Sequence, residues 1–319
     1  MKTTITEWKK MNENSSNNPE TNKQIELLKR YGISNYTVKN DKITINGDAD
    51  LRKLNSVDKD FLRYTTITGD LNLSSLEAAD KDFLKGTKID GSLTLSSLTS
   101  VDKDFLRYTT ISSNLDLEDS ALDLHSLTTV DKDFLKHTKL KGGLRLDYVQ
   151  TVDKDFLKGK TVGYLYLSGL KTVDKDFLKD TVLNGNLYLF ALTTVHKDFL
   201  RFADINGDLE LPRLTTADKD FLIGTDIKGS LNLSGLKTVD KLFLSDTTIN
   251  RDLNLKSIET ADKDFLKGNV IGGELCLYGL KTIHKDFLKH TTIQSRLDLS
   301  TTTLSFDDKY ILQKNTGKL

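Results

Sequence analysis

The side chains able to do chemistry in this 319-residue chain are few in kind and regular in placement. Its histidines, His125, His137, His196, His284 and His290, are scattered, and Cys276 is the single cysteine, so an internal disulfide is impossible and no zinc-type ligand cluster is spelled out. There is no Walker loop, no Gly-x-Gly-x-x-Gly and no His-Glu-x-x-His. Catalysis needs a nucleophile or metal with a partner that tunes it, converging on one point. No such set occurs, so the chain is expected to be no enzyme and to use no cofactor. Acidic residues do recur, as Asp-Lys-Asp, and stacked aspartates can hold Ca²⁺ in other repeat proteins. Here a Lys separates the two acids in nearly every copy, which suits turn capping better than a cation cage, so no metal is expected. The remaining chemistry is recognition. Arg145, Tyr148, Tyr164, Tyr166, Tyr188 and Phe190 combine exposed aromatics with an arginine, the composition of an interface hot spot. The competing explanation is that these rings stack along a sheet for stability.

The elements that must position these residues come from a repeat. Val-Asp-Lys-Asp-Phe-Leu, or a near variant, places its aromatic at Phe61, Phe83, Phe105, Phe134, Phe156, Phe177, Phe199, Phe221, Phe243, Phe265 and Phe287. The spacing is 22 residues except for 29 between Phe105 and Phe134 and 21 between Phe156 and Phe177. A degenerate last copy, Phe306 to Leu312, puts Tyr310 in the aromatic slot, for about twelve rungs between residues 45 and 312. Within a rung such as Lys228 to Asp240, the Leu-x-Leu step alternates as a half-buried strand does. The Asp-Lys-Asp-Phe-Leu step predicts a short helical turn with an aspartate N-cap, as at Asp102, and His196 and His284 replace that aspartate as caps or surface residues. Gly86, Gly159, Gly224 and Gly268 follow the Phe-Leu pair, where a left-handed residue would end such a turn. A rung this small cannot bury its own apolar face, whereas stacked rungs share a continuous core. The expected fold is therefore a repeat solenoid with one parallel β-strand and a short helical turn per 22-residue rung.

The Leu71-Asn72-Leu73-Ser74-Ser75-Leu76 pattern with its following Val-type and Phe-Leu positions resembles a bacterial-type leucine-rich repeat. The segment Ile25 to Val38, followed by Ile43-Thr44-Ile45-Asn46-Gly47-Asp48, resembles the cap that precedes short leucine-rich repeats of tailed bacteriophages. The resemblance implies a leucine-rich-repeat-like interaction scaffold of phage or prophage origin. Leu76 stands where such repeats usually keep an Asn, and Val-Asp replaces their Leu-Pro, so a right-handed parallel β-helix is the alternative fold.

The ends are read by composition. Residues 1–21 form an N-terminal segment, with Ile5, Trp8 and Met11 on one face of a short amphipathic helix and an Asn/Ser-rich linker from Asn12 to Asn22. Residues 22–44 are the N-terminal cap, 45–312 the solenoid and 313–319 a polar tail. The 29-residue interval carries an acidic insertion, Glu118 to Leu124, and the 21-residue interval drops a residue near Gly163 and Tyr164. Insertions in solenoids tend to mark the binding face. Most rungs carry small or polar groups between the two leucines, Asn72, Thr94, Asp116, Glu210, Asn232, Asn254 and Asp298, whereas the rungs beside the two irregularities carry the aromatics. Tyr278 with Cys276 is a weaker echo.

Charge is balanced, 46 Lys plus Arg against 46 Asp plus Glu, so no global field draws in nucleic acid or an anionic membrane. No stretch approaches a membrane-spanning run, and the start lacks a basic region followed by an apolar one. The expectation is a non-enzymatic protein-binding scaffold in the cytoplasm, of the bacterial host if phage-encoded, that binds neither nucleic acid nor membrane. A structural repeat protein of a virion or cell surface, and a glycan-binding solenoid, are the alternatives.

Overall fold

A computed structural model of the chain describes residues 16–317, apart from 59, 81, 103–105, 114–120, 131–134, 154, 175–176, 179, 197–199, 201–202, 218–220, 240–243, 245–246 and 301. It divides into two compact units, residues 1–145 and 146–319, each a stack of parallel-stranded rungs at 22-residue spacing. Among the described residues no helix is long and apolar enough to cross a membrane.

The first unit opens with helix α1, Pro19–Arg30. Asn18 caps it by accepting the Glu20 N–H at 2.9 Å, and Pro19 takes the first helical position, where its missing N–H costs nothing. The stretch from Pro19 to Asn22, assigned to a linker by its composition, is thus helix. The expected helix around Ile5, Trp8 and Met11 lies outside the described residues. Helix α1 packs on the first rung: Tyr31 meets Phe61 edge to face at 4.7 Å, Gln24 donates to the Arg63 carbonyl at 2.8 Å, and Lys23 and Arg30 pair with Asp60 and Asp58. Strands β1 (Tyr36–Lys39) and β2 (Lys42–Ile45) then form an antiparallel hairpin. Asn40 and Asp41 turn it at φ 50° and 59°, the left-handed pair that matches strand twist.

Each regular rung contributes two short strands, not the single one expected. In the first unit Thr66–Ile67, Lys88–Ile89, Thr110–Ser112 and Lys139–Lys141 extend the sheet begun by β2. A second parallel ladder joins Ala49–Asp50, Leu71–Asn72, Leu93–Thr94, Leu122–Asp123 and Leu144–Arg145. The second unit repeats both, from Thr161–Val162 to Thr292–Ile293 and from Leu165–Tyr166 to Leu297–Asp298. Equivalent residues pair, as Leu71 with Leu93 and Leu231 with Leu253, and both leucines of each repeat are buried in all but the last rung. A further ladder pairs Thr260–Ala261 with Thr282–Ile283.

The Asp-Lys-Asp-Phe-Leu segment forms turns, and no α-helix, in the copies described in full. Phe265 N–H reaches the Asp262 carbonyl at 3.2 Å, Lys267 the Asp264 carbonyl at 3.2 Å and Asn269 the Leu266 carbonyl at 3.3 Å, all three-residue steps. Two local facts stop a helix from propagating. The residue after the aromatic is left-handed at Leu62, Leu178, Leu200, Leu222, Leu244 and Leu288, and Gly86, Gly159, Gly224 and Gly268 are left-handed as their placement anticipates. A buried threonine column then ties the turns together. Thr87 Oγ1 donates to the Leu62 carbonyl of the previous rung at 2.6 Å, as Thr225 does to Leu200 at 2.7 Å and Thr247 to Leu222 at 2.6 Å. These carbonyls also accept a turn N–H, as Leu222 does from Thr225 at 3.3 Å, and the bond to them is how a fully buried hydroxyl is tolerated.

The register also locates the irregularities. Leu93 pairs with Leu122 and Thr94 with Asp123, so the Leu-x-Leu of that rung is Leu122 to Leu124. Asp123 holds the outward position, and Leu122–Asp123, expected to belong to the insertion, is the rung's own strand; Asp116 and residues 118–120 lie outside the described residues. Val162 precedes Leu165 by three residues where Ile67 precedes Leu71 by four, which puts the missing residue in the bend at Gly163 and Tyr164. At the C-terminus the degenerate copy is helix α2, Phe306–Thr316, capped by Ser305 and ended by left-handed Gly317. Phe306 and Tyr310 are exposed while Leu312 is buried, so Tyr310 fills no aromatic slot, and Gln313 to Thr316 is helix where a tail was expected.

Candidate functional site

The outward residue of the second ladder is in register from rung to rung: Asp50, Asn72, Thr94, Asp123 and Arg145 in the first unit. In the second unit it is Tyr166, Tyr188, Glu210, Asn232, Asn254, Cys276 and Asp298. Most of the small polar members have a local task. Asn72 Oδ1 accepts the Ser74 N–H at 3.0 Å, Asp123 the His125 N–H at 3.1 Å, Asn232 the Ser234 N–H at 3.1 Å, Asn254 the Lys256 N–H at 3.2 Å and Asp298 the Ser300 N–H at 2.9 Å. Each caps the turn that leaves its own strand, the favoured use of Asn and Asp in turns.

A second polar ladder runs along the bend just before the strand. Asp48 Oδ1 accepts the Asp70 N–H and Asp70 Oδ1 the Ser92 N–H, at 2.9 and 2.7 Å. In the second unit Asn186, Asp208 and Asp252 do the same for Asp208, Ser230 and Glu274, each at 2.7 Å. The glycine preceding the donor residue is required by close approach: a Cβ on Gly229 would lie 2.2 Å from Asp208 Oδ1 and 2.5 Å from the Gly207 carbonyl carbon. Neither this ladder nor the threonine column was among the features expected from the sequence. The signal for them was present, as Gly-Asp/Asn/Ser-Leu and as Thr at fixed offsets from Phe.

The aromatic residues depart from this pattern. Tyr166 and Tyr188 replace the turn-capping side chain and stack on one another, centroids 4.4 Å apart and planes 15° from parallel. Phe190, 39% exposed, lies 5.6 Å from Tyr188 at 48°. Asn186 Nδ2 donates to the Tyr188 hydroxyl at 2.7 Å and fixes that ring. Tyr164 sits at the bend-ladder position and is half-buried, and Tyr148 is 63% exposed. Arg145 is exposed and belongs to the first unit, opposite Asp123. The contacts thus bring together Tyr166, Tyr188 and Phe190 from the expected set. No protein-family model matches this chain, and neither does any curated protein.

Glu210 continues the column beyond Tyr188 and was not singled out by sequence. Its carboxyl is half-buried, and burial raises its pKa, an effect that the Asn232 hydrogen bond opposes and the Asp208 charge reinforces. Burial is also the largest cause raising the pKa of the Cys276 thiol. The Tyr278 hydroxyl, pushed up to about 12 by the charge of Cys276 and the hydrogen bond to Asp298, stays protonated. Tyr64 and Tyr108, 60% and 52% exposed on the turn side of the first unit, lie under the guanidinium groups of Arg63 and Arg107 at 5.7 and 5.0 Å. Among the described residues no cluster of His, Cys, Asp and Glu could hold a metal ion.

Proposed function

We propose that the protein is a non-enzymatic binding solenoid that engages a protein partner through the aromatic rungs of its second unit. The observation that carries this is the exchange at Tyr166 and Tyr188. Two positions that in other rungs cap their own turn give up that hydrogen bond and present half-buried tyrosines instead. Half-buried aromatic anchors of this kind supply hot spots. Tyr148, Tyr164 and Phe190 of the same unit complete the candidate surface. The stacked geometry also favours a second reading, a structural repeat protein of a virion or surface in which the rings only stabilise the ladder. A glycan is less suited, because sugar rings pack on free aromatic faces and these two rings cover each other's.

Two strands per rung support a parallel β-helix-like coil over the leucine-rich-repeat form, whose likeness here rests on the Leu-x-Leu repeat. Phage origin rests on that resemblance, and a cytoplasmic site on the lone Cys276. Affinity capture from host lysate, with wild type beside the Tyr166→Ala, Tyr188→Ala variant and both checked by circular dichroism, tests the function. A partner held by wild type and lost by the folded variant is the expected result. Capture of the same proteins by both assigns the rings to stacking and sinks this surface.

A further inference from the structure

The chemistry of the partner can be read from what borders the tyrosine stack. Glu210 pairs in register with Tyr188 on one side and Asn232 on the other. A carboxylate has about four acceptor sites, and the structure gives this one a single side-chain donor, Asn232 Nδ2 at 2.7 Å. The charged group acting on it is Asp208, a repulsive one, and among the described residues no Lys or Arg does so. This contrasts with the other acids of the column's ends. Asp50 is paired with Arg52 and Asp298 with Arg296. A half-buried carboxylate without a cation is a costly arrangement, raised further by its acidic neighbour, and an incoming positive charge relieves it.

Resting on the binding function above, we infer that the partner group seated beside the tyrosine stack is a lysine or arginine side chain of a protein segment, its charge on Glu210 and its stem against Tyr188 and Phe190. The methylene stem of such a residue covers apolar surface while its head stays polar. Tyr188 and the exposed ring of Phe190, 5.6 Å apart, offer that surface next to the acid. An acidic segment is repelled by Glu210 and Asp208, and a purely apolar one leaves the carboxylate buried and unpaired.

The test uses the full chain and blocked peptides, acetyl-(Gly-Arg)4-amide and acetyl-(Gly-Glu)4-amide, titrated calorimetrically. The arginine peptide binds and the glutamate peptide does not. Glu210→Gln weakens arginine-peptide binding about tenfold, while Glu259→Gln, which removes an exposed acid paired with Lys281, leaves it unchanged. No binding of the arginine peptide, or equal binding by Glu210→Gln, overturns the assignment. The capture experiment separates the two levels. A partner retained by Glu210→Gln but lost by the Tyr166→Ala, Tyr188→Ala variant overturns the cation alone. A partner retained by every variant overturns the binding surface with it.

Discussion

The rungs entered at Leu231 and Leu253 and those entered at Leu165 and Leu187 are built on the same buried leucines, yet they spend their outward positions differently. At Asn232 and Asn254 the side chain turns back to its own backbone and caps the next turn. At Tyr166 and Tyr188 it reaches a neighbouring rung and the solvent. The bend shows the same division, with Asp208 and Asp252 as acceptors in the regular rungs and Tyr164 in that position beside the shortened bend. Lys160 likewise occupies the column that Thr225 and Thr247 fill elsewhere, and burial lowers its pKa. The core tolerates no such variation, because every rung must fit the one above. The outer columns do, and the aromatic rungs are where they abandon local capping.

The comparison can be broken most forcefully in the regular rungs. Gly229→Ala drives a Cβ into the Asp208 carboxylate and the Gly207 backbone, and is expected to cost about 3 kcal/mol, read as a lowered urea midpoint. Thr247→Val keeps the shape but removes one of two donors from the buried Leu222 carbonyl, which retains the Thr225 N–H at 3.3 Å, an expected loss of about 1 kcal/mol by the same measurement. A smaller effect follows from making the aromatic rungs resemble the regular ones. In Tyr166→Asn, Tyr188→Asn the lost ring stacking, worth about 1 kcal/mol, is largely offset by restored turn caps, so stability changes little while partner capture disappears. A large destabilisation would instead make the stack a structural necessity.

The subtlest effect is on pH dependence. The Glu210 carboxyl has a raised pKa when folded, so its protonated form favours folding. That contribution is fully present below the ordinary glutamate pKa and is lost as pH rises through the folded value. The melting temperature of Glu210→Gln therefore exceeds that of wild type at neutral pH, and the difference closes on acidification below the ordinary glutamate range. A gap that is constant with pH would place the carboxylate in a fully solvated setting.

Periodicity made the stacking legible, since the constant offset from Phe to Leu-x-Leu places every core column. It also held the register of the irregular rung: Phe134 lies as far beyond Leu122 as Phe221 lies beyond Leu209. The same arithmetic argued against Asp116, whose Leu-Asp-Leu imitates the real one. The helical turn was misjudged because Asp caps and apolar spacing look alike in a helix and in a chain of three-residue turns, and left-handed leucines leave no mark in sequence. Tyr310 was misplaced because a helix cap can imitate a rung when no further rung follows to require the register.

The sequence by itself determined the 22-residue rung, the parallel stacking and the identity of the core, because burial of a repeating apolar pattern admits few other solutions. Only the tertiary structure decided that each rung carries two strands, that buried threonines and bend aspartates bond from rung to rung, and that Tyr166, Tyr188 and Phe190 meet beside a carboxylate that lacks a cation among the described residues. Those features depend on contacts between residues about one repeat apart, where backbone direction and side-chain reach, and not residue type, select the partner.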